Sequence, residues 1–402
     1  MKILVYAHRL EVGGTQVNAI ELATALRDLH GLEVVMFAQP GPMVRLIEEK
    51  GLCFLPAPDA RFHPSLARMR ALRDAVRREK PDLIHAWDWW QCLDAYYAVH
   101  LPMRIPMVVS DMMMELTRVL PKRLPTTFGV PELVAKAKAA NRRQVELVVP
   151  PVDVRYNAPG VVDPQPFRDH YGIAKGDISL VTVSRLTDWM KAESLIRTVD
   201  AIRTLGHDLP LRLIIVGEGS ARARLERLAS EANAELGRSA VICTGALLDP
   251  RPAYAAADII VGMGGSALRG MAFGKAVIIV GERGFSSLLT PESAETFYYK
   301  GIYGIGDGNP SNTRLITDIR ELVEYPDRLA TLGELSRQFV VRNFSMETVS
   351  TRFADFCHKV VAEKPSFRLS TIDSLRTAAI YLRERRFLTP SRDQKPRDRL
   401  AG

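Results

Sequence analysis

Apolar residues along this chain fall into two runs of alternating strands and helices. Residues 2–7 read as a buried strand and 8–12 as a loop. Gly13-Gly14-Thr15-Gln16 then open a helix in which Val17, Ile20, Leu22, Ala23 and Leu26 recur at helical spacing. The alternation continues with strands at 33–38, 53–55, 83–86 and 107–109, helices at 43–50, 66–78 and 92–100, and a late strand at 145–149. It resumes with strands at 180–184, 211–216, 240–243, 257–261 and 276–280, separated by helices at 193–205, 221–234 and 252–256. Further helices are expected at 313–325, 330–341, 346–361 and 370–385. Strands alternating with helices make right-handed crossovers and a parallel sheet covered on both faces. The expected class is α/β, with two doubly wound Rossmann-like domains. Pro159, Gly160, Pro164 and Pro166 mark a linker, which sets the first domain at 1–160 and the second at 161–345. Residues 346–388 are expected as terminal helices able to pack back on the first domain, and 389–402 as a disordered tail.

At 402 residues the chain is long enough for two cores. No apolar run approaches the roughly 18 to 20 residues of a membrane span. The start reads as a strand rather than a leader peptide. Cys53, Cys92, Cys243 and Cys357 lack the paired spacing of disulfides or metal sites. A cytoplasmic protein without a structural metal is expected. The net charge of +8 suits an anionic ligand or surface. Arg68, Arg70, Arg73, Arg77, Arg78 and Lys80 crowd one helix, which reads either as a solvated face or as a peripheral membrane contact through residues 66–80. It lacks the interleaved aromatics that stack bases, so nucleic acid is not an expected partner.

The candidate chemistry starts at Val261-Gly-Met-Gly-Gly-Ser266, a glycine turn between a strand and a helix. Helix N-termini present unpaired amides and a positive dipole end, and glycines let a phosphate approach. Gly264, Gly265 and Ser266 are therefore candidate anion ligands. Arg185 follows the strand 180–184 and Lys191 lies six residues on; two cations at a strand mouth suit a diphosphate. No Asp or Glu set has Mg2+ spacing, so no metal ligand is assigned.

Taken together, these motifs resemble family-4 glycosyltransferases of the GT-B fold over most of residues 1–361. Gly13-Gly14-Thr15-Gln16 is similar to that family's Gly-Gly-x-Glu entry. Ile84-His85-Ala86-Trp87-Asp88 is similar to its hydrophobic-His-x-His strand end, and Ser184-Arg185-Leu186 with Lys191 to its Gly-Arg-Leu and Lys-Gly. Ile215-Val216-Gly217-Glu218-Gly219 matches Val-Gly-x-Gly, while Gly245, with Leu247 as a further donor contact, falls at the family's base-binding loop and Tyr254 and Ala257-Asp258 at its Tyr…Ala-Asp. The resemblance implies two facing domains with a central cleft, the first taking the acceptor and the second a nucleotide sugar, a UDP-sugar foremost. It implies transfer with retention, no further cofactor, and Arg185 and Lys191 stabilising the leaving diphosphate. The acceptor is a sugar, a lipid-linked group or a small molecule. A nucleotide-sugar-binding protein without transfer, or a nucleotide-sugar epimerase, are the alternatives.

The chain departs from the family at its donor-site Glu-x7-Glu motif. A gapless register puts Val261 and Arg269 where the two Glu stand, and Arg accepts no hydrogen bond. Either the ribose is then held otherwise or Arg269 contacts a phosphate instead; Glu282, in the loop after the strand 276–280, is a candidate for the missing carboxylate or else an exposed loop charge. On the acceptor side Asp88 and Asp111 each follow a strand and are candidates to orient or deprotonate a hydroxyl. Trp87, Trp89 and Trp90 are expected to form an apolar platform for a sugar ring or another acceptor, with His85 also at the acceptor and Met112-Met-Met114 as a pliable wall.

Overall fold

The structure, a computed structural model, describes residues 1–309, 311–363 and 367–389. The chain divides into two units, one built from Met1–Pro151 together with the run that begins at Met346, the other from Val152–Ser345. The first opens with β1 (Lys2–Tyr6), α1 (Gly14–His30), β2 (Glu33–Ala38), α2 (Val44–Glu49), β3 (Cys53–Pro56), α3 (Leu66–Glu79) and β4 (Leu83–Trp87). It continues with α4 (Asp88–Ala95), a π-helical turn at Tyr96–His100, α5 (Leu101–Met103), β5 (Met107–Asp111), β6 (Thr126–Phe128), α6 (Pro131–Ala139) and β7 (Val145–Leu147). The strand order is β3-β2-β1-β4-β5-β6-β7, parallel at every pairing. The central strands are apolar and buried along almost their whole length, as a sheet covered on both faces requires. α1 stops at Gly31, whose φ of 63° is a left-handed position, with its amide on the Arg27 carbonyl.

The second unit runs through α7 (Gln165–His170), β8 (Ile178–Val183), α8 (Ala192–Leu205), β9 (Leu211–Val216), α9 (Arg222–Leu236), β10 (Val241–Gly245) and α10 (Arg251–Ala256). Then come β11 (Ile259–Gly262), α11 (Gly265–Ala272), β12 (Ala276–Val280), β13 (Ser286–Leu288), α12 (Pro291–Lys300), α13 (Thr313–Glu324) and α14 (Pro326–Phe344). Its order is β10-β9-β8-β11-β12-β13, parallel except for β13. In both sheets the winding direction reverses beside the first strand. That leaves a crevice at the carboxyl ends between β1 and β4, and another between β8 and β11, where ligands of open α/β sheets bind.

Two last helices, α15 (Met346–Ala362) and α16 (Phe367–Arg383), return to the first unit. α15 runs along α1, with His30 Nε2 2.9 Å from Ser350 Oγ, and sets Phe353 4.5 Å from the His85 ring. Tyr96 and Tyr97 hold α16 by donating to the carbonyls of Ser370 (2.7 Å) and Ser374 (3.1 Å). The division between units falls at Pro151, ahead of the Pro-rich stretch. The Val152 amide donates to the Phe344 carbonyl (2.8 Å), and Arg337 donates to the carbonyls of Val154 (2.8 Å) and Asn157 (3.1 Å), so 152–160 is already part of the second unit. From residue 390 on, the expected tail lies outside the described residues. The basic helix also differs from expectation. Arg68 shares the inward face with Leu72 and Val76 and is fully buried, its guanidinium on the Pro58 carbonyl (2.8 Å) and on Gln39 Oε1 (2.6 Å). Arg77 and Arg78 pair with Asp74 (3.3 Å) and Glu79 (3.0 Å), which leaves a narrower cationic face.

Candidate active site

Two loops at the carboxyl edge of the second sheet are zipped together. The Leu186 amide donates to the Glu218 carbonyl and the Ala221 amide to the Leu186 carbonyl, both at 2.8 Å. Gly217 takes a φ of 146°, and a Cβ there would run into the Ser184 carbonyl, so this glycine serves the packing of the loops. Ser184 is thereby fixed and Arg185 is left exposed at the mouth of β8. Lys191 heads α8 half-buried. Burial, and then the Arg185 charge, push its ammonium down to about 8, while Glu282 pulls it the other way. Glu193 builds this grouping: its carboxylate accepts the amides of Arg283 (2.9 Å) and Gly284 (2.5 Å), which clamps the loop after β12 to the first turn of α8. Glu282 accepts the Tyr303 hydroxyl, and burial together with that carboxylate pushes the phenol up to about 12. Neither Glu193 nor Tyr303 was singled out by the sequence.

Beyond β11 the turn Gly262-Met263-Gly264 leads into α11. The Gly264 amide is spent on the Ile302 carbonyl (2.7 Å), and the Ser266 hydroxyl donates to the Met263 carbonyl (3.0 Å). Ser266 thus closes the turn, contrary to its expected role as a free donor. The amides of Gly265, Ser266 and Ala267 head the helix, where no intrahelical acceptor exists. Arg269 folds back along α11, with Nη1 3.5 Å from the Gly265 carbonyl, and its charge is felt by the buried Tyr254 phenol. Val261 is buried in β11. Glu218 is exposed and bonded to Arg222. Gly245, at a φ of 80°, ends β10 and accepts the Gly217 amide (2.9 Å), and Leu247 is half-buried just beyond it.

In the first unit, β1, β4 and β5 end side by side, and His8, Asp88 and Asp111 meet there. Asp88 opens α4 with a φ of 56°. A non-glycine residue held at positive φ costs about 1–3 kcal/mol, and such strain gathers at functional sites. Asp88 Oδ1 accepts the Met112 amide (2.7 Å), and its Oδ2 lies 3.3 Å from His8 Nε2, close enough for electrostatic contact but out of line for a hydrogen bond. Asp111 accepts the hydroxyl (2.9 Å) and amide (3.3 Å) of Thr117. Burial first, and then the Asp88 carboxylate, raise its carboxyl to about 7.

Both carboxylates are fully buried, so as they stand they touch protein atoms rather than an acceptor. They position His8, Met112 and Thr117, a correction to the direct role expected of them. The acceptor platform is overturned as well. Trp87 and Trp89 are 1% and 0% exposed, and Trp89 stacks on Trp90 at 4.5 Å. His85 bonds Ser110 Oγ (2.8 Å) beneath Phe353, and burial pushes its ring down to about 3, so it stays neutral. Met112 remains half-buried. Gly13 caps α1 in an extended conformation, Gly14 faces open space, and Thr15 is half-buried. The Gln16 side-chain amide donates to the Arg9 carbonyl (3.0 Å), which ties down the loop that carries His8. Among the described residues, no group of three or more His, Cys, Asp or Glu is placed to hold a metal ion, and no helix is long and apolar enough to cross a membrane.

Two family models match the chain: Glycosyltransferase Family 4 over residues 12–116 and Glycosyl transferases group 1 over residues 177–301. Among solved structures, a glycosyltransferase from Rickettsia africae matches with a TM-score of 0.71 at 14% identity, covering 90% of this chain and 99% of that one. Anabaena HepE in complex with UDP-glucose matches with a TM-score of 0.69 at 17% identity, covering 88% and 98%. WaaG, a glycosyltransferase involved in lipopolysaccharide biosynthesis, matches with a TM-score of 0.59 at 15% identity, covering 89% and 99%. No curated protein matches by sequence. Two doubly wound units and these matches make the protein a glycosyltransferase of the GT-B fold. With a family-4 match in its first unit and a group 1 match in its second, it belongs to the family-4-like members of that class.

Proposed function

We propose that this glycosyltransferase takes a nucleoside-diphosphate sugar, UDP-sugar foremost, and transfers the sugar to an acceptor hydroxyl with retention, without a metal or further cofactor. The observation that carries this reading is the pairing of Arg185 with a half-buried Lys191 at the mouth of β8. A half-buried ammonium beside an exposed guanidinium makes a positive mouth to the strand, which suits a diphosphate. In the transfer, the acceptor oxygen bonds to the anomeric carbon as the carbon's bond to the β-phosphate oxygen breaks. The electron pair leaves with the diphosphate, where Arg185, Lys191 and the α11 amides neutralise it. The β-phosphate takes the acceptor's proton, so no protein base is required. Arg269 is assigned to a phosphate oxygen and Glu282, set by Glu193 and Tyr303, to a hydroxyl of the donor. HepE, bound to UDP-glucose, favours uridine as the base. Contact with an anionic membrane belongs to the same proposal, carried by Arg70, Arg77, Arg78 and Lys80, all exposed on α3 and its cap.

The test is incubation with UDP-, GDP-, ADP- and dTDP-sugars in the presence of EDTA, following nucleotide release and the configuration of the freed sugar. Release from one donor, with retention and undiminished by EDTA, is expected. Tight binding without turnover, release of a 2-epimer, or a strict need for Mg2+ would each reject it.

A further inference from the structure

A basic pocket of about 490 Å³ opens in the first unit, lined by Glu115, Arg118, Lys122, Lys136, Arg142 and Arg376 among others. Its volume lies within the roughly 300–1,000 Å³ of small-ligand sites. Five cations line the wall; Glu115 there, Glu132 paired with Lys136 (2.8 Å) and Asp373 paired with Arg376 (3.7 Å) offset part of their charge, and the net positive field that is left favours an anion. Three segments converge on it: the loop that follows β5, the region from α6 to Arg142, and α16. The two deeper arginines are structural. Arg142 is buried and donates to the carbonyls of Pro121 (2.8 Å), Leu120 (3.1 Å) and Thr117 (3.3 Å). Arg376 donates to the carbonyls of Arg118 (3.2 Å) and Leu120 (3.4 Å) and pairs with Asp373 at 3.7 Å. Their charges still crowd each other, since burial first and Arg376 among its neighbours hold the Arg142 guanidinium below its ordinary value. Arg118 stands exposed and Lys122 half-buried on the loop so stapled.

The pocket is coupled to the site already described. Thr117, whose hydroxyl is on Asp111, offers its carbonyl to Arg142, so the loop after β5 has one of the two buried carboxylates at its start and carries Arg118 and Lys122 further on. Arg118, Lys122, Lys136, Arg142 and Arg376 also lie outside the 12–116 and 177–301 matches.

We propose that this pocket binds a phosphate or diphosphate group carried by the acceptor, so that the acceptor is a phosphorylated molecule; this deepens the transferase reading and rests on it. Arg118 and Lys122 supply the contacts and Arg142 and Arg376 the background field. The test titrates inorganic pyrophosphate into the full chain with UDP present in excess, so that the donor site is filled. The Arg118→Ala/Lys122→Ala double variant is compared with wild type, and thermal melting shows that both are folded. Saturable binding in wild type, weakened at least tenfold in the double variant while UDP affinity stays the same, is expected. No binding in wild type, or equal binding in both, overturns the pocket. A parallel arm uses vesicles of phosphatidylcholine doped with phosphatidylglycerol. If vesicle binding falls with pyrophosphate binding, the phosphate belongs to a lipid headgroup; if only pyrophosphate binding falls, it belongs to a soluble phosphorylated acceptor. Donor turnover without pyrophosphate binding removes this inference alone, and pyrophosphate binding without UDP binding removes the donor reading alone.

Discussion

Lys191 and Asp111 are both held away from their ordinary values, and each shift is a measurable handle. Burial and Arg185 bring the Lys191 ammonium down to about 8. A bound diphosphate favours its charged form, so UDP binding near that pH should take up a proton, and affinity should fall as the pH rises through about 8. Lys191→Met should flatten this profile and lower kcat roughly a hundredfold, the scale of losing one charge-stabilising donor. Titration calorimetry in two buffers of different ionisation enthalpy counts the protons. A flat wild-type profile would take Lys191 out of the diphosphate site. For Asp111 the sign is opposite: its folded value, about 7, lies above the unfolded carboxylate value. The folded state therefore holds the proton more tightly, and the stability so gained below about pH 4 is lost as the pH rises through about 7. Asp111→Asn keeps a neutral acceptor for Thr117 at every pH. It should melt above wild type at about pH 8, with the gap narrowing as the pH falls and closing near pH 4, and a lower melting point at pH 8 would contradict the carboxylate pairing.

Loops and helices are assembled here by contacts that span long stretches of sequence, and this divides what was legible from what was not. The alternation of strands and helices gave both sheets, and the short spacing from Arg185 to Lys191 gave the cation pair, because these signals are local. The clamp from Glu193 to Gly284 reaches across 91 residues and leaves no local trace. The same is true of Tyr303, which comes to Glu282 through the pairing of the 281–285 loop with Gly304 and Gly306. The Trp platform failed for a related reason: partners from the far end of the chain cover this strand end, Phe353 of α15 at His85 (4.5 Å) and Arg386, past α16, over the Trp89 ring (5.2 Å), so what read as exposed is core. His8 follows β1 in an unremarkable loop, and only Asp88 at positive φ reveals its neighbourhood. At this scale the clamp is the test. Hydrogen bonds to a charged group contribute about 1.5–3 kcal/mol, so Glu193→Ala should release Glu282 and raise the donor KM roughly tenfold or more. The fold should survive, because the two freed amides reach water. An unchanged KM would show that Glu282 needs no such support.

The whole chain is threaded unevenly: the first unit is closed by α15 and α16, whereas the second is a single continuous stretch. The ends of that stretch meet, since the Val152 amide is on the Phe344 carbonyl and Val152 bridges Ser345. Cutting there breaks no strand and leaves Arg185, Lys191, Glu282 and the α11 corner together on one piece. Residues 152–345 should therefore fold alone and bind UDP within about tenfold of the full chain. Residues 1–151 alone should not fold. Without α15 they lose Phe353 from above His85, and emptying one such aromatic site costs about 3–5 kcal/mol, a large part of the 5–15 kcal/mol that holds a domain together. Circular dichroism and titration of each piece measure both outcomes. A folded 152–345 that fails to bind UDP while the full chain succeeds would move part of donor recognition onto the first unit. Gly13, Gly14, Thr15 and Gln16, at the head of α1, would then be the residues to change next.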